Sequence, residues 1–340
     1  MLAQGGISRL PPSPTGALHL GHAFSFLLNW MLARRLGWKL LLRLDDLDAP
    51  RVASSAHDTP AELRLLGVDW DGPVIRQSER MPRYLDAMRA LASKGLVYES
   101  PHSRAEVREA AEAVGAPQEG AGHAVFPRSL RPTDRSAWTF QGRAVNHRLA
   151  VPDGVERVQD LLHGECTFDL PRTHGDFIVW TKAGVPSYQL ACAVDDAETG
   201  VDRVVRGADL LESAALQQVL HRLMGHASPW WCHVPLVRDA SGKRLAKRDG
   251  DEGLAALVAS GVTPDRLRGL VASWLGLCRP RPLAAAELLQ AADPDRVERG
   301  LRALHASGGP QVDAAAAAWL RGSEEAAATL ARHAGGSAAP

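Results

Sequence analysis

The sequence is poor in cysteine and has no long apolar run. Its four cysteines are far apart and form no C-x-x-C pair, which argues against both a zinc knuckle and a disulfide framework. No apolar run approaches the roughly 20 residues of a membrane helix, and the N-terminus lacks the charged-then-apolar pattern of a signal peptide. We therefore expect a cytoplasmic protein with no membrane partner. The cysteines are Cys166, Cys192, Cys232 and Cys278.

The chain also lacks net charge, because 39 lysines and arginines balance 39 aspartates and glutamates. A nucleic-acid partner would therefore have to be held by local basic patches, since the whole-molecule field gives no attraction. Two arginine-containing segments, 126–132 and 279–282, are candidates for phosphate contacts, although single clusters of this kind are more often solvated loops. The length allows two or three domains, and a monomer is our default expectation.

The first residues predict the opening of a parallel α/β sheet. Residues 7–10 have the pattern of a short strand, and residues 21–36 that of a helix with a continuous apolar face. Residues 39–44 form a compact apolar run of buried-strand length, which ends at the acidic stretch 45–48. Strand, loop, helix and strand in this order open a βαβ unit.

The rest of the chain is predicted to form an insertion, the second half of the sheet and a helical end. We expect the sheet to resume with three stretches, 176–180, 187–196 and 202–209, and Asp195 and Asp196 to cap the sheet edge. The predicted domains are 1–92 (first half of a Rossmann-like catalytic domain), 93–171 (inserted subdomain), 172–235 (second half) and 236–340 (basic loop, helical stem and frayed tail).

The segment from Arg9 to His22, RLPPSPTGALHLGH, combines a proline-stiffened loop with two histidines at a helix start. The helix beginning near Gly21 directs unpaired N–H groups and its positive dipole end toward this loop, which suits a phosphate. His19 and His22 can donate hydrogen bonds to developing charge. Taken alone, H-x-x-H more often means two surface imidazoles.

With the distant basic loop KRLAKR, these features resemble class I aminoacyl-tRNA synthetases, and PSPTG-x-LH-x-G resembles their glutamyl/glutaminyl branch. The likeness extends over about residues 7–275 and includes LRLDDLD, LGVDWDGP and RGADLLES. Within that branch, the chain resembles a shortened family, the glutamyl-Q tRNA(Asp) synthetases. The resemblance implies a class I Rossmann-like nucleotide-binding parallel sheet (α/β) with an inserted α+β subdomain and a C-terminal helical stem. It also implies activation of L-glutamate with ATP and transfer of glutamate to the queuosine base in the anticodon of tRNA(Asp).

The resemblance also implies which residues bind the nucleotide. The loop R-L-A-K-R corresponds to the family's K-M-S-K-S, and its cations are suited to neutralise the leaving pyrophosphate. Without an N-terminal partner, such a loop is more often a solvated basic turn. Mg²⁺ is expected with the nucleotide. The implied catalytic residues are His19, His22 and Lys247, and the implied ATP-binding residues are His19, Gly21, His22, Arg244, Leu245 and Lys247.

A glutamate pocket is implied in the same way. The guanidinium of Arg9 is expected to face the substrate side-chain carboxylate, which its fork fits bidentately. Asp45 stands where the glutamyl enzymes carry glutamate and the glutaminyl enzymes aspartate, so the preference for glutamate over glutamine stays open. Read alone, Asp45 is a turn or N-cap residue and Arg206 a surface strand arginine. The implied glutamate-binding residues are Arg9, Pro11, Ser13, Asp45, Tyr188 and Arg206.

No structural zinc is expected. Close relatives carry a zinc knuckle in the insertion, whereas the matching stretches here, 98–103 and 126–130, have Ser100, His102 and Leu130 in place of thiolates. A rebuilt site from Glu99, His102 and His123 is the alternative.

The chain after the basic loop is short for a conventional glutamyl-tRNA synthetase. Only 92 residues follow Arg248, whereas anticodon-binding helical domains take over about 150 residues. We therefore expect no anticodon-binding domain. Two alternatives stay open: a stand-alone glutamate-activating synthetase with another acceptor, and a non-catalytic paralogue that binds an amino acid or tRNA.

Overall fold

The computed structural model describes residues 3–48, 52, 58–113, 118–119, 123–142, 145–245 and 253–334. The chain forms two compact units. The first comprises residues 1–76, 203–210 and 232–340, and the second comprises residues 77–202 and 211–231. The predicted division into four domains stays a prediction. No helix among the described residues is long and apolar enough to cross a bilayer.

The strands and helices are numbered in chain order over the described residues. The strands are β1 Ile7–Leu10, β2 Lys39–Leu44, β3 Ile75–Arg76, β4 Val97–Ser100, β5 Gln118–Glu119, β6 His123–Ala124, β7 Asn146–Leu149, β8 Glu156–Asp160, β9 Gly164–Phe168, β10 Ile178–Trp180, β11 Arg203–Gly207, β12 Trp230–Val234, β13 Arg238–Asp239 and β14 Gln311–Val312. The helices are α1 Leu20–Leu36, α2 Thr59–Leu65, α3 Met81–Ser93, α4 Arg104–Ala113, α5 Leu170–Thr173, α6 Tyr188–Glu198, α7 Leu211–Met224, α8 Leu254–Ala259, α9 Pro264–Trp274, α10 Ala285–Ala291, α11 Pro294–Ala306, α12 Ala314–Leu320 and α13 Glu325–Ala334.

The first unit is built on a sheet whose strand order is β3-β2-β1-β11-β12. β1 pairs in parallel with β2 on one side and with β11 on the other, and β2 pairs in parallel with β3. Three successive leucines of β2, Leu40, Leu41 and Leu42, are buried because both faces of a parallel sheet are covered. The predicted α/β fold and the opening strand–helix–strand unit are confirmed.

α1 is buried on most of its surface, and two acidic residues fix its position. The carboxylate of Asp69 accepts from Trp30 Nε1 at 2.5 Å and from Arg34 Nε at 3.0 Å. Asp71 accepts from Arg34 Nη1 at 2.8 Å and from the Leu40 N–H of β2 at 2.7 Å. Despite partial burial, these hydrogen bonds hold the pKa of both carboxyls below the usual range. The motif LGVDWDGP therefore joins the first helix to the second strand.

The C-terminal helices of the first unit pack around α9, where Leu267, Leu270 and Val271 are buried. Thr263 caps this helix by accepting from the Arg266 N–H, as expected of a Thr-Pro start. The helix also contacts α1, because the rings of Phe24 and Trp274 meet edge to face with centroids 6.1 Å apart. The stem therefore buries apolar surface against the helix that follows β1.

The second unit contains a three-stranded antiparallel sheet in the order β10-β7-β4 and a β8–β9 hairpin. The hairpin pairs in parallel with the start of β12 through Asp160 and Trp231. Three short strands, β7, β8 and β9, lie within residues 145–170. The expectation that 176–180 resumes the parallel sheet is wrong, because β10 pairs antiparallel with β7.

The expectation of a strand over 187–196 is also wrong, because this stretch forms α6. Its N-cap is Ser187, whose side chain accepts from the Leu190 N–H. The apolar run is continuous because the helix is buried on most sides. Asp195 therefore caps no sheet edge: it is buried in the helix and accepts from Gln77 Nε2 at 2.9 Å and Arg80 Nε at 2.6 Å. Asp196 is buried in the same helix.

Candidate active site

The candidate site lies at the carboxyl edge of the parallel sheet in the first unit. β1 is flanked by β2, which follows it in the chain through α1, and by β11, which comes much later. The connections after β1 and β11 therefore leave the sheet in different directions, and parallel α/β sheets bind ligands at such a switch point. The proline loop follows β1, Asp45 follows β2, and Asp209 follows β11.

His19 is the N-cap of α1, and its ring folds back onto the first turn. The backbone is extended (φ −119°, ψ 176°), and Nδ1 accepts from the Gly21 N–H at 3.1 Å. The Nδ1 atom of His22 in turn accepts from the His19 N–H at 3.2 Å. The two ring centroids are 3.8 Å apart. The H-x-x-H spacing thus forms a reciprocal cap made of two imidazoles.

This cap fixes the tautomer of both rings. A nitrogen that accepts a hydrogen bond carries no proton, so His19 and His22 each hold their proton on Nε2 and present it as a donor. The first turn of α1 contains no acidic residue, so no carboxylate there offsets the positive end of the helix dipole. Two imidazole donors at a helix N-terminus are suited to bind a phosphate or another anion.

Gly21 provides the space that the folded-back ring needs. A Cβ atom at this position would lie 2.9 Å from Cε1 and 3.1 Å from Nδ1 of His19. Any larger residue would therefore push the His19 ring away from the cap. The contact of Gly21 with an adenine stays a prediction.

The proline loop is tied to the end of β2. The carbonyl of Pro12, which is buried, accepts from the Asp45 N–H at 3.0 Å. Ser13 is exposed, and its Oγ is 3.1 Å from Oγ1 of Thr15, while Pro11 is half-buried. The predicted residues Pro11, Ser13 and Asp45 therefore lie on two connected segments of one sheet edge.

Arg9 lies near the carboxyl end of β1, with 1% of its surface exposed. Asn29 of α1 fixes the backbone there: its Nδ2 donates to the Arg9 carbonyl at 3.0 Å, and its Oδ1 accepts from Ser8 Oγ at 2.9 Å. An interior guanidinium at this sheet edge is suited to hold a carboxylate. The glutamate-binding role of Arg9 stays a prediction.

Asp45 is held by a residue that sequence reasoning missed. Arg43, 2% exposed, donates from Nε to Asp45 Oδ1 at 2.7 Å and from Nη2 to Oδ2 at 3.3 Å. Arg43 and Asp45 are two positions apart at the end of a strand, so their side chains lie on the same face of the sheet. This spacing could have indicated the pair from the sequence. Asp45 is therefore a carboxylate oriented by Arg43 rather than a simple turn residue.

Arg206 of β11 is buried, so the surface-arginine interpretation is wrong. Its Nε donates to Nε2 of His233 at 3.0 Å, and its Nη2 donates to the Leu210 carbonyl at 3.1 Å. His233, on the neighbouring strand β12, is fully buried, and no local sequence pattern indicates it. Because its Nε2 accepts from a guanidinium, its proton lies on Nδ1.

The described start of the basic loop is anchored to the sheet edge. Arg244 Nη2 donates to Asp209 Oδ2 at 2.7 Å, and the Leu245 N–H donates to the Val237 carbonyl at 3.0 Å. Arg244 is half exposed, so a strong net contribution of this pair to stability is not expected. Lys247 lies outside the described residues, so its convergence with the histidine pair stays a prediction.

Tyr188 belongs to the second unit, where it is the first residue of α6 and is 41% exposed. An exposed phenol at a helix start can take part in ligand binding, and this role stays a prediction.

A buried carboxylate organises the part of the second unit in which relatives were expected to carry zinc. Asp176 accepts from Tyr98 Oη at 2.5 Å, from Arg131 Nε at 2.7 Å and Nη2 at 2.6 Å, and from the Val151 N–H at 2.9 Å. Burial and this carboxylate raise the pKa of Tyr98 far above its usual value. Burial lowers the pKa of Arg148, which donates to the Asp176 carbonyl, to about 10.

The described residues contain no group of three or more histidine, cysteine or acidic side chains placed to hold a metal. The side chain of His123 lies outside them, so the zinc-free expectation stays a prediction. Arg131, one of the arginines considered for phosphate contact, is instead bound to Asp176.

Comparison with known proteins identifies the family of the chain. Residues 7–269 match the family model described as "tRNA synthetases class I (E and Q), catalytic domain". Glutamyl-Q tRNA(Asp) synthetase of Nocardia farcinica is 41% identical over 87% of this chain and 92% of that protein. The protein of the same name from Symbiobacterium thermophilum is 40% identical over 86% and 93%.

Among solved structures, a glutamate tRNA ligase from Elizabethkingia meningosepticum, in complex with its amino acid, superposes with a TM-score of 0.73. It is 23% identical and aligns with 93% of this chain and 68% of its own, so the likeness concerns the fold. The fold and the matched domain define a ligase of the class I aminoacyl-tRNA synthetase type. Within that class, the chain belongs to the glutamyl-Q tRNA(Asp) synthetase family.

Proposed function

We propose that the chain activates L-glutamate with ATP and transfers the glutamyl group to the queuosine base of tRNA(Asp). The observation that carries the proposal is the 40–41% identity to glutamyl-Q tRNA(Asp) synthetases over more than nine-tenths of their length. The reciprocal imidazole cap of α1, at the switch point of the sheet, supports the nucleotide half of the reaction.

In the first step, an oxygen of the glutamate α-carboxylate attacks the α-phosphorus of ATP. The bond from that phosphorus to the bridging oxygen breaks, and pyrophosphate leaves. The Nε2–H donors of His19 and His22 are placed to stabilise negative charge on phosphate oxygens, and Arg244 and Lys247 neutralise the leaving pyrophosphate. Mg²⁺ accompanies the nucleotide and adds positive charge at its phosphates.

The amino acid is held between the ends of β1 and β2. Arg9 pairs with its side-chain carboxylate, and Asp45, oriented by Arg43, accepts from its ammonium group. Pro11 and Ser13 shape the loop beside it, and a further contact is assigned to Arg206. A glutamate-binding role for Tyr188, which belongs to the second unit, follows from the resemblance alone. Discrimination against glutamine rests on the Arg9 guanidinium, which is positively charged and has only N–H donors. The glutamine side chain is neutral, and its amide group offers a donor where glutamate has a second acceptor oxygen.

In the second step, a ring hydroxyl of queuosine attacks the carbonyl carbon of the glutamyl adenylate. An ester bond forms, the bond from that carbon to the phosphate oxygen breaks, and AMP leaves while the hydroxyl proton passes to solvent. No side chain is required as a nucleophile, so positioning supplies most of the rate enhancement.

Two assays test the proposal. The full-length chain is incubated with ATP, labelled pyrophosphate and either glutamate or glutamine, without tRNA; glutamate-dependent exchange is expected. Labelled glutamate is then offered with total tRNA from cells that contain or lack queuosine, and only the first pool is expected to be labelled.

Each alternative has its own outcome. Equal labelling of both tRNA pools would contradict queuosine as the acceptor, and exchange that requires tRNA(Glu) would indicate a conventional synthetase activity. Absence of exchange with any amino acid would favour a non-catalytic binding protein.

A further inference from the structure

The peptide that precedes the histidine cap is bound on both sides by other elements. The N–H of Leu18 donates to Oε2 of Glu62 in α2 at 2.9 Å. The carbonyl of Leu18 accepts from the N–H of Leu254, the first residue of α8, at 2.6 Å. Leu18 itself is 1% exposed. The backbone that leads into His19 is therefore fixed one residue before the helix begins.

The charge of Glu62 is unusual at this place. Its carboxylate is 7% exposed and binds the residue next to the proposed phosphate-binding cap, where a negative charge repels a triphosphate. Burial of a carboxylate is also costly unless hydrogen bonds compensate. The bond to the Leu18 N–H is one hydrogen bond that compensates for this burial.

α2 does not need Glu62 to stay in place. Leu63 and Leu66 are fully buried, and Arg268 of α9 donates from Nη1 to the Leu66 carbonyl at 3.0 Å. Asp58 caps the start of the helix by accepting from the Ala61 N–H at 3.1 Å. Removal of the Glu62 carboxylate is thus expected to free the Leu18 N–H, while the Leu18 carbonyl stays bound to Leu254 and α2 keeps its packing.

We propose that Glu62 is a positioning residue for adenylate formation: it holds the Leu18 peptide so that His19 caps α1 and directs its Nε2–H toward the reacting phosphate. This inference rests on the proposed function, and it assigns the effect to the acceptor oxygen of Glu62 rather than to its charge. A misplaced donor loses contact mainly with the transition state, so the loss falls on kcat.

The test compares three variants of the full-length chain in glutamate-dependent ATP–pyrophosphate exchange. Glu62→Ala is expected to lower kcat by about 30-fold, with KM for ATP changed less than about threefold. Glu62→Gln keeps an oxygen that accepts from the Leu18 N–H and is expected to retain kcat within about threefold. Asp58→Ala, the matched control, weakens the cap of α2 without touching Leu18 and is expected to retain kcat.

A second readout does not depend on activity. Nitrogen NMR of the imidazoles reports which ring nitrogen of His19 is protonated, and Glu62→Ala is expected to change this pattern whereas Glu62→Gln is not. Equal loss of kcat in Glu62→Ala and Asp58→Ala, equal loss in both Glu62 variants, or an unchanged Glu62→Ala would overturn the inference. A wild-type chain without exchange would overturn the proposed function, and the NMR comparison would still decide the positioning role.

Discussion

Replacement of Asp176 by asparagine tests whether a carboxylate, rather than a metal, holds the inserted part of the second unit together. Asp176 is 1% exposed and receives four hydrogen bonds: one from Tyr98, two from Arg131 and one from the Val151 N–H. An asparagine oxygen can still accept from Val151. The charge that faces Tyr98 and Arg131 is lost.

The size of the effect follows from these contacts. Hydrogen bonds to a charged group contribute about 1.5–3 kcal/mol each. Removing one partner of a buried ion pair costs about 3–5 kcal/mol. Arg131 is 24% exposed, so it regains part of its hydration in the variant. We therefore expect Asp176→Asn to lower the local free energy of unfolding by about 3 kcal/mol.

Hydrogen exchange at the Val151 amide, measured in the full-length chain, reports this local unfolding. Asp153→Asn is the matched control, because Asp153 pairs with Arg128 at 2.6 Å but is 85% exposed. Loss of this exposed ion pair is expected to lower the free energy of unfolding by less than about 1 kcal/mol. A change below about 1 kcal/mol in Asp176→Asn would refute the reasoning, because the buried charge would then contribute no more than an exposed one.

The remaining predictions concern acid stability, the histidine cap, the basic loop and metal. Burial lowers the pKa of His221, so the unfolded chain takes up the proton first and stability falls as pH drops below about 6.5. The urea midpoint of His221→Leu should therefore fall less between pH 7 and 5 than that of the wild type. Parallel plots of urea midpoint against pH for the two proteins would contradict this. Gly21→Ala should displace the His19 ring and lower exchange kcat by about 10- to 100-fold, and unchanged kcat would argue against the imidazole donors. Arg244→Ala should raise KM for ATP by about tenfold while stability changes by less than about 1 kcal/mol, because its bond to Asp209 is exposed; a large drop in melting temperature would reverse this assignment. A chelator should leave the melting temperature unchanged, and a marked decrease would indicate a structural metal.

Much of the fold could be predicted from local patterns in the sequence. The first strand, helix and strand follow from hydrophobic periodicity. The Thr263-Pro264 pair and the Ser103–Glu106 spacing are local signals of helix starts, and the structure has caps at both. The stretch 187–196 was misread because a helix buried on most sides shows no polar face, so its apolar run is like that of a buried strand. The pairing of β10 with β7 joins residues far apart in sequence, and periodicity carries no information on pairing partners.

The candidate site was predictable where it depends on local spacing. The H-x-x-H spacing and Gly21 specify a cap that forms within one helical turn. The bonds of Arg206 to His233 and of Glu62 to Leu18 depend on which strands and helices become neighbours. Such partners follow from the packing of the sheet and its helices rather than from any local pattern.

The central claim is that glutamate is attached to a base in the anticodon of tRNA(Asp). The most direct measurement maps the label: queuosine-containing tRNA(Asp) is charged with labelled glutamate and cut by a nuclease, and the fragments are separated. The account predicts that the label stays with the fragment that carries queuosine and is absent when the tRNA lacks queuosine. Label on the 3′-terminal adenosine would contradict it.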